Sequence, residues 1–262
     1  MQLHRPIGIF DAGIGSYAIV ERVRARFPEQ DILYFADRES FPYGAKTPDE
    51  LLTSVQRATE YLQEQGCVAV ILASNAPSIV VLTPLRAAVT VPVIGVFPPV
   101  REAINRSTTK EVAVFGVRSM TDSQAMRAFA NEHREPHSIV HLVNASALVD
   151  LVETFAFINA PEDTQIVVTD FVARVRSNQP GIDVMTLSST HLPWLKPFFE
   201  IAAPDILFID PADTVIEEIA THTSQGKGRT VCVATESEEL SLLAFNAALG
   251  ALNAPIRASL KR

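Results

Sequence analysis

Cysteine is scarce: Cys67 and Cys232 are the two in 262 residues. Two thiols in so long a chain make no disulfide framework, and neither belongs to a Cys/His cluster with metal-ligand spacing. No metal is expected. Basic residues are outnumbered, 22 Lys and Arg against 30 Asp and Glu, giving a formal net charge of -8. That balance argues against nucleic acid or an anionic membrane as the main partner. It leaves room for a small anion, because a local site can be positive inside an acidic protein. No apolar run approaches the roughly 18 residues that suggest a transmembrane helix. The start, MQLHRPIGIFDAG, has no apolar stretch of signal-peptide length. The cytoplasm is the expected compartment. Residues 11–16 form a glycine-containing loop, but the spacing is wrong for a dinucleotide fingerprint and no third glycine follows. No cofactor is expected.

Apolar material is ample, at 47% of residues with 20% charged, enough for a buried core. The length suits one large or two small domains. Short apolar runs at 6–10, 31–36, 68–73 and 91–96 read as strands. The pattern restarts with strands at 111–115, 139–143 and 184–187, then 206–209 and 230–234. A helix is expected over 17–26, capped by Ser16, with Ile19, Val20, Val23 and Phe27 on its apolar face. Thr47 or Pro48 opens another, which Gly66 ends. Further helices are expected from about Asp122, over 147–157 and over 164–176. This alternation predicts an α/β protein with parallel sheets. The strand at 7–10 and the strand at 112–115 occupy similar places in the two halves. So do those at 68–73 and 184–187. That rhythm suggests two pseudo-symmetric α/β domains, 1–97 plus 210–262 and 98–209.

Polar loops follow several strands, where open α/β sheets hold their ligands. Asp11 ends the first strand; a helix cap is its first reading and ligand chemistry its second. Pro42-Tyr43-Gly44 reads as a turn. Asn75 offers donors and an acceptor to a ligand, or ties its loop. Ser188-Ser189-Thr190-His191 is the densest polar cluster.

Taken in order, these segments resemble glutamate racemase of the aspartate/glutamate racemase superfamily. The family's opening Asp-Ser-Gly-x-Gly-Gly is matched by Asp11-Ala12-Gly13-Ile14-Gly15-Ser16, and its Pro-Tyr-Gly by Pro42-Tyr43-Gly44. Its Cys-Asn-Thr-Ala-Ser is matched by Ser74-Asn75-Ala76-Pro77-Ser78, and its Val-Pro-Leu-Val-Glu by residues 149–153, ending in Glu153. Its Gly-Cys-Thr-His is matched by Ser188-Ser189-Thr190-His191. The resemblance runs from Ile7 to about Ala212. It implies a cofactor-independent isomerase fold connected with peptidoglycan, built by duplication, with a small amino or dicarboxylic acid held between the domains. Ser74 and Ser189 would then face one cleft, with Asp11, Glu153 and His191 assisting. Ala12, Pro42, Tyr43, Gly44, Asn75, Ala76 and Thr190 would line it. A monomer and a homodimer are both left open.

The departures are informative. The family moves protons with two cysteines, and serine stands at both matching positions here. Ala12 and Ala76 replace a serine and a threonine, while Val117 and Met120 replace threonines. A free thiol has a pKa of about 8.5, whereas a serine hydroxyl lies nearer water at about 15.7. Cys67 and Cys232 are expected at the beginnings of their strands, away from the crevice. One reading is a racemase-like binding protein that has lost two-thiol chemistry. An alternative is an enzyme of altered chemistry, an amino-acid isomerase or related lyase using Ser and His. A racemase whose thiols were deliberately replaced is disfavoured by the additional changes at Ala12, Ala76, Pro77, Val117, Met120 and Ser188.

Overall fold

The computed structural model describes residues 3–238 and 240–261. They form two compact units, one of residues up to Val96 together with those from Ala212 onward, the other Phe97–Pro211.

The first unit begins with β1 (Ile7–Asp11), α1 (Tyr17–Arg26), β2 (Ile32–Ala36), α2 (Pro48–Glu64), β3 (Ala69–Leu72), α3 (Asn75–Ala88) and β4 (Val93–Gly95). The second holds α4 (Val100–Arg106), β5 (Glu111–Gly116), α5 (Arg118–Thr121), α6 (Gln124–His133), β6 (Ile139–Asn144), α7 (Ser146–Glu153) and α8 (Ala156–Asn159). It continues through α9 (Pro161–Asn178), β7 (Val184–Leu187), α10 (Lys196–Ala202) and β8 (Leu207–Ile209). The chain returns to the first unit with α11 (Ala212–Ile219), β9 (Thr230–Ala234), α12 (Leu242–Ala251) and β10 (Ala258–Leu260).

The first unit's sheet runs β10-β9-β2-β1-β3-β4 and the second's β6-β5-β7-β8, with every described pair parallel. Numbered within its own unit, each sheet therefore contains the order second-first-third-fourth. β1 corresponds to β5 and β3 to β7, the same strands whose rhythm suggested duplication. β1, β2 and β3 are buried at every residue. That is why IGIF, ILYFA and AVIL run without the polar alternation of a half-exposed strand, Asp11 coming only at the end of β1: a parallel sheet is covered on both faces.

Local chemistry fixes the helix ends. At α2, Thr47 accepts from the Glu50 amide while the Glu50 carboxylate accepts from the Thr47 amide, a reciprocal box with Pro48 in the first turn. Leu51, Val55, Ala58 and Leu62 form its buried stripe. Gly66, at φ +82, supplies the left-handed residue that ends it.

Three expectations need correction. Ser16 does not cap α1 with its side chain: its backbone is already helical, and its hydroxyl donates to the Gly13 carbonyl at 3.1 Å and lies 2.9 Å from the Tyr34 hydroxyl. The helix expected over 147–157 is broken into α7 and α8. Thr154 turns its hydroxyl back to the Asp150 carbonyl and Phe155 adopts left-handed backbone at φ 59. Cys232 lies in the middle of β9, paired with Tyr34 and Ala258, rather than at its beginning.

One partly buried anchor makes a pH prediction. Asp183, just before β7, accepts from the Ser107 hydroxyl, and from the amide (2.7 Å) and hydroxyl (2.6 Å) of Thr108. Thr109 adds its amide at 3.2 Å and its hydroxyl at 3.1 Å. Burial alone would raise this carboxyl's pKa, but the donors outweigh it and hold it at about 2, against an ordinary 3.8. A depressed folded pKa stabilises the fold above the unfolded value and loses that contribution as pH falls through the folded one. Asp183→Asn is therefore expected to cost about 1–3 kcal/mol at pH 7. The gap from the unsubstituted protein should narrow between about pH 4 and about pH 2. Urea midpoints across that range measure it; a gap independent of pH would contradict the assignment.

Candidate functional site

In the order β2-β1-β3, the chain leaves β1 to one side and reaches β3 on the other. In open α/β sheets the ligand crevice lies at the carboxyl ends of the two central strands where the direction switches. In the first unit Asp11 ends β1 and Ser74 follows β3, so the repeated topology puts both at the switch point. Ser74 occupies the N-cap position of α3, yet its side chain caps nothing. Ser78 is instead the structural hydroxyl. It donates to the Ser74 carbonyl at 2.7 Å and accepts from the Val96 amide at 2.9 Å, tying the ends of β3 and β4. Asn75 is 3% exposed. Its amide donates to the Val96 carbonyl at 3.2 Å, while its Oδ1 is buried without a partner among the described residues. An unpaired buried acceptor costs about 1–3 kcal/mol; a ligand N–H would satisfy it.

The loop after β1 is held from beneath. Arg38 is buried, donates to the Ala12 carbonyl at 2.7 Å, and lies 5.1 Å from the Phe41 ring centroid and 5.5 Å from that of Phe245. Ala12 and Ala76 are both buried. Pro42 and Gly44 are exposed and flank Tyr43, which is buried. The Tyr43 hydroxyl donates to Asp37 Oδ2 at 3.0 Å. Burial, then the nearby carboxylates of Asp37 and Asp11, push its pKa well above the ordinary tyrosine value. This hydroxyl is therefore neutral and already engaged.

In the second unit the corresponding switch lies between β5 and β7. Met120 is fully buried and occupies the space where a side chain on Gly116 would go. Val117 precedes α5 at its N-cap. The positions matched to family threonines thus carry apolar groups. Thr121 turns its hydroxyl to the Arg118 carbonyl at 3.4 Å, while the Ser119 hydroxyl is buried without a partner among the described residues. At the end of β7, Ser188 pairs with Thr186 at 2.7 Å. Ser189 and Thr190, 6% and 5% exposed, have no hydroxyl partner among the described residues. His191 Nε2 lies 2.6 Å from Glu153 Oε1, joining the end of α7 to the segment after β7. When Nε2 carries the proton, Glu153 fixes the ring and leaves Nδ1 as the basic nitrogen.

The structure thus brings Glu153 to His191, and sets Asp11 and Ser74 on adjacent strand ends. It keeps both thiols out of reach. Cys67 precedes the amino end of β3, the end opposite Ser74, and burial pushes its pKa up to about 12. Cys232 is buried within β9, and burial also raises its pKa. Sequence reasoning passed over Asp37, Arg38, Arg57 and Thr235, which support the first unit's loops. Asp37 was discoverable as a carboxylate immediately after a strand.

Fold and strand-end residues together define a duplicated, parallel α/β protein with its polar groups at the sheets' topological switch points. The chain belongs to the Asp/Glu/Hydantoin racemase family, whose profile matches residues 17–219. It is 31% identical to a glutamate racemase of Roseiflexus sp. (strain RS-1) over 223 residues, 84% of this chain and 79% of that one. It is 29% identical to a glutamate racemase of Ralstonia pickettii (strain 12J) over 252 residues, 93% and 87% of the two chains. Among solved structures, the glutamate racemase isoform RacE1 from Bacillus anthracis aligns with all of this chain and 98% of its own, at TM-score 0.83 and 23% identity. The glutamate racemase of Francisella tularensis, solved with D-glutamate, aligns over 98% and 97% at TM-score 0.80 and 21% identity. These two likenesses establish the fold. Among the described residues no helix is long and apolar enough to cross a membrane, and no group of three or more side chains could hold a metal ion.

Proposed function

We propose that this chain is a glutamate-racemase-like protein that binds a small amino or dicarboxylic acid through its strand-end polar residues and lacks two-thiol racemisation. One observation carries the reading. Ser74 and Ser189 follow corresponding strands, β3 and β7, and among the described residues neither hydroxyl has a hydrogen-bond partner. Their neighbours Ser16, Ser78 and Ser188 are all engaged. The orphan Asn75 acceptor suits an ammonium group. The Francisella racemase solved with D-glutamate supports the ligand class. Asp11, Glu153 and His191 would assist, as the resemblance implies.

Calorimetric titration with both enantiomers of glutamate and aspartate, and with smaller carboxylic acids, tests the proposal. At least one acid is expected to bind and, at a hundredfold excess over Kd, to stabilise the fold by about 2.7 kcal/mol. Failure of every acid would overturn it. The second reading, altered chemistry with Ser and His, is favoured by the Glu153–His191 pair, since an oriented imidazole is half of a base-assisted nucleophile. Isotope exchange at the α-carbon separates the two.

A further inference from the structure

We infer that Asp37 is the positioning residue of the Pro42-Tyr43-Gly44 turn and sets ligand affinity through Tyr43, an inference that rests on the binding function just proposed. Asp37 follows β2 and is 1% exposed. Its amide donates to the Asp11 carbonyl at 2.8 Å, fastening it to the end of β1. One carboxylate oxygen takes the Tyr43 hydroxyl at 3.0 Å. The other faces Arg57 of α2 and the Thr235 hydroxyl after β9, each at 3.5 Å. Arg57 also donates to Ser40 at 3.1 Å and pairs with Glu39, while Thr235 accepts the Glu39 amide at 3.0 Å. Through its amide, its carboxylate and the partners of that carboxylate, Asp37 therefore links three strand ends, one helix and the loop leading to the turn.

A buried carboxylate is unfavourable unless it is paired and hydrogen-bonded. Here the bond to Tyr43 is shorter than either contact on the other oxygen. Arg57 approaches from the half-exposed rim, with its side chain 51% accessible. The tyrosine side chain is thus a tether pointing inward, away from Pro42 and Gly44, which are exposed on either side of it. What the turn offers a ligand is backbone and ring held at a fixed depth. Without the tether the buried ring keeps its apolar contacts, but the turn gains freedom that a ligand must then restrict. The effect falls on affinity, beyond any loss of stability.

The experiment measures calorimetric affinity for D-glutamate and L-aspartate, well below each variant's melting temperature. The variants are Asp37→Ala, Asp37→Asn, Tyr43→Phe and the double variant Asp37→Ala/Tyr43→Phe. Asp37→Ala and Tyr43→Phe are each expected to weaken whichever probe binds by about tenfold or more. Asp37→Asn, which keeps an acceptor for the tyrosine, should restore most of the affinity. The double variant should be no weaker than the worse single one, because both remove the same bond. Unchanged affinity in Asp37→Ala with a lowered melting temperature would make Asp37 merely structural and overturn the inference. Should Asp37→Ala not fold, Tyr43→Phe decides alone, and undiminished affinity there overturns it equally. If the unsubstituted protein binds neither probe, the binding proposal is contradicted for these acids and this inference falls with it; binding that Asp37 does not influence sinks only the latter.

Discussion

Incubated with L-glutamate in deuterium oxide, the protein is expected to leave the α-hydrogen essentially unexchanged. A two-thiol racemase must pass that proton to solvent-exchangeable groups. Replacing a thiol by a hydroxyl raises the cost of generating the base. Even a conservative gap of about 5 pKa units corresponds to roughly 7 kcal/mol. If that gap reached the barrier, about five decades of rate would be lost. The other thiols cannot compensate: Cys67 lies at the opposite end of β3 with its pKa raised to about 12, and Cys232 is enclosed within β9 with its pKa raised by burial. Proton NMR and chiral chromatography on the same sample measure exchange and inversion together. Turnover near the typical enzymatic value of about 10 per second would refute the expectation. It would also have to disappear in Ser74→Ala/Ser189→Ala, since activity surviving there belongs to a contaminating host racemase.

Much of the fold was legible because parallel sheets write themselves as uninterrupted apolar runs. Residues 184–187 and 230–234 were read with the bounds of β7 and β9. The α2 start was legible through Thr47 and Pro48, whose side chains act on their own neighbourhood. α3 was missed because its first turn carries Ser74, Asn75 and Pro77, and Pro84 follows inside; each reads locally as loop. Tertiary burial of Val81, Leu82 and Leu85 outweighs that local preference. The break at Phe155 was illegible for the opposite reason. Residues 147–157 are apolar enough to continue a helix, and a phenylalanine gives no warning of left-handed backbone.

Parts of the candidate site divide in the same way. Glu153 and His191 were named from the resemblance, and the fold places them 2.6 Å apart although 38 positions separate them. Ser16 was read as a cap because serine before a helix usually is one. Tyr34, on the neighbouring strand, claims its hydroxyl instead. Asp37 shows only as a carboxylate immediately after a strand, and Arg57 carries no local signature. Their significance comes from pairings across α2, β2 and β9 that only the assembled sheet brings together.

Placing thiols at both proposed positions, as Ser74→Cys/Ser189→Cys, is expected to leave a poor glutamate racemase. Glutamate requires donors for two carboxylates and an acceptor for its ammonium group. Asn75 Oδ1 remains for the latter, but the hydroxyls the family resemblance leads one to expect are gone. Ala12 and Ala76 are buried methyl groups, and Met120 is packed against Gly116 rather than merely standing in for a threonine. The nearby hydroxyls offer little substitute: Ser16 is bound to Gly13 and Tyr34, Thr121 turns to the Arg118 carbonyl, and the Ser119 hydroxyl is enclosed. A hydrogen bond to a charged group is worth about 1.5–3 kcal/mol. Losing two therefore weakens glutamate by about a hundredfold or more, an effect independent of the reacting sulfurs. The two-thiol variant should fall at least about a hundredfold below a two-thiol racemase in kcat/KM, with the deficit shared by KM. Adding Ala12→Ser and Met120→Thr to it should recover part of that deficit through KM. Full glutamate turnover by the two-thiol variant alone would show instead that the pocket never changed and that the two serines account for the whole difference.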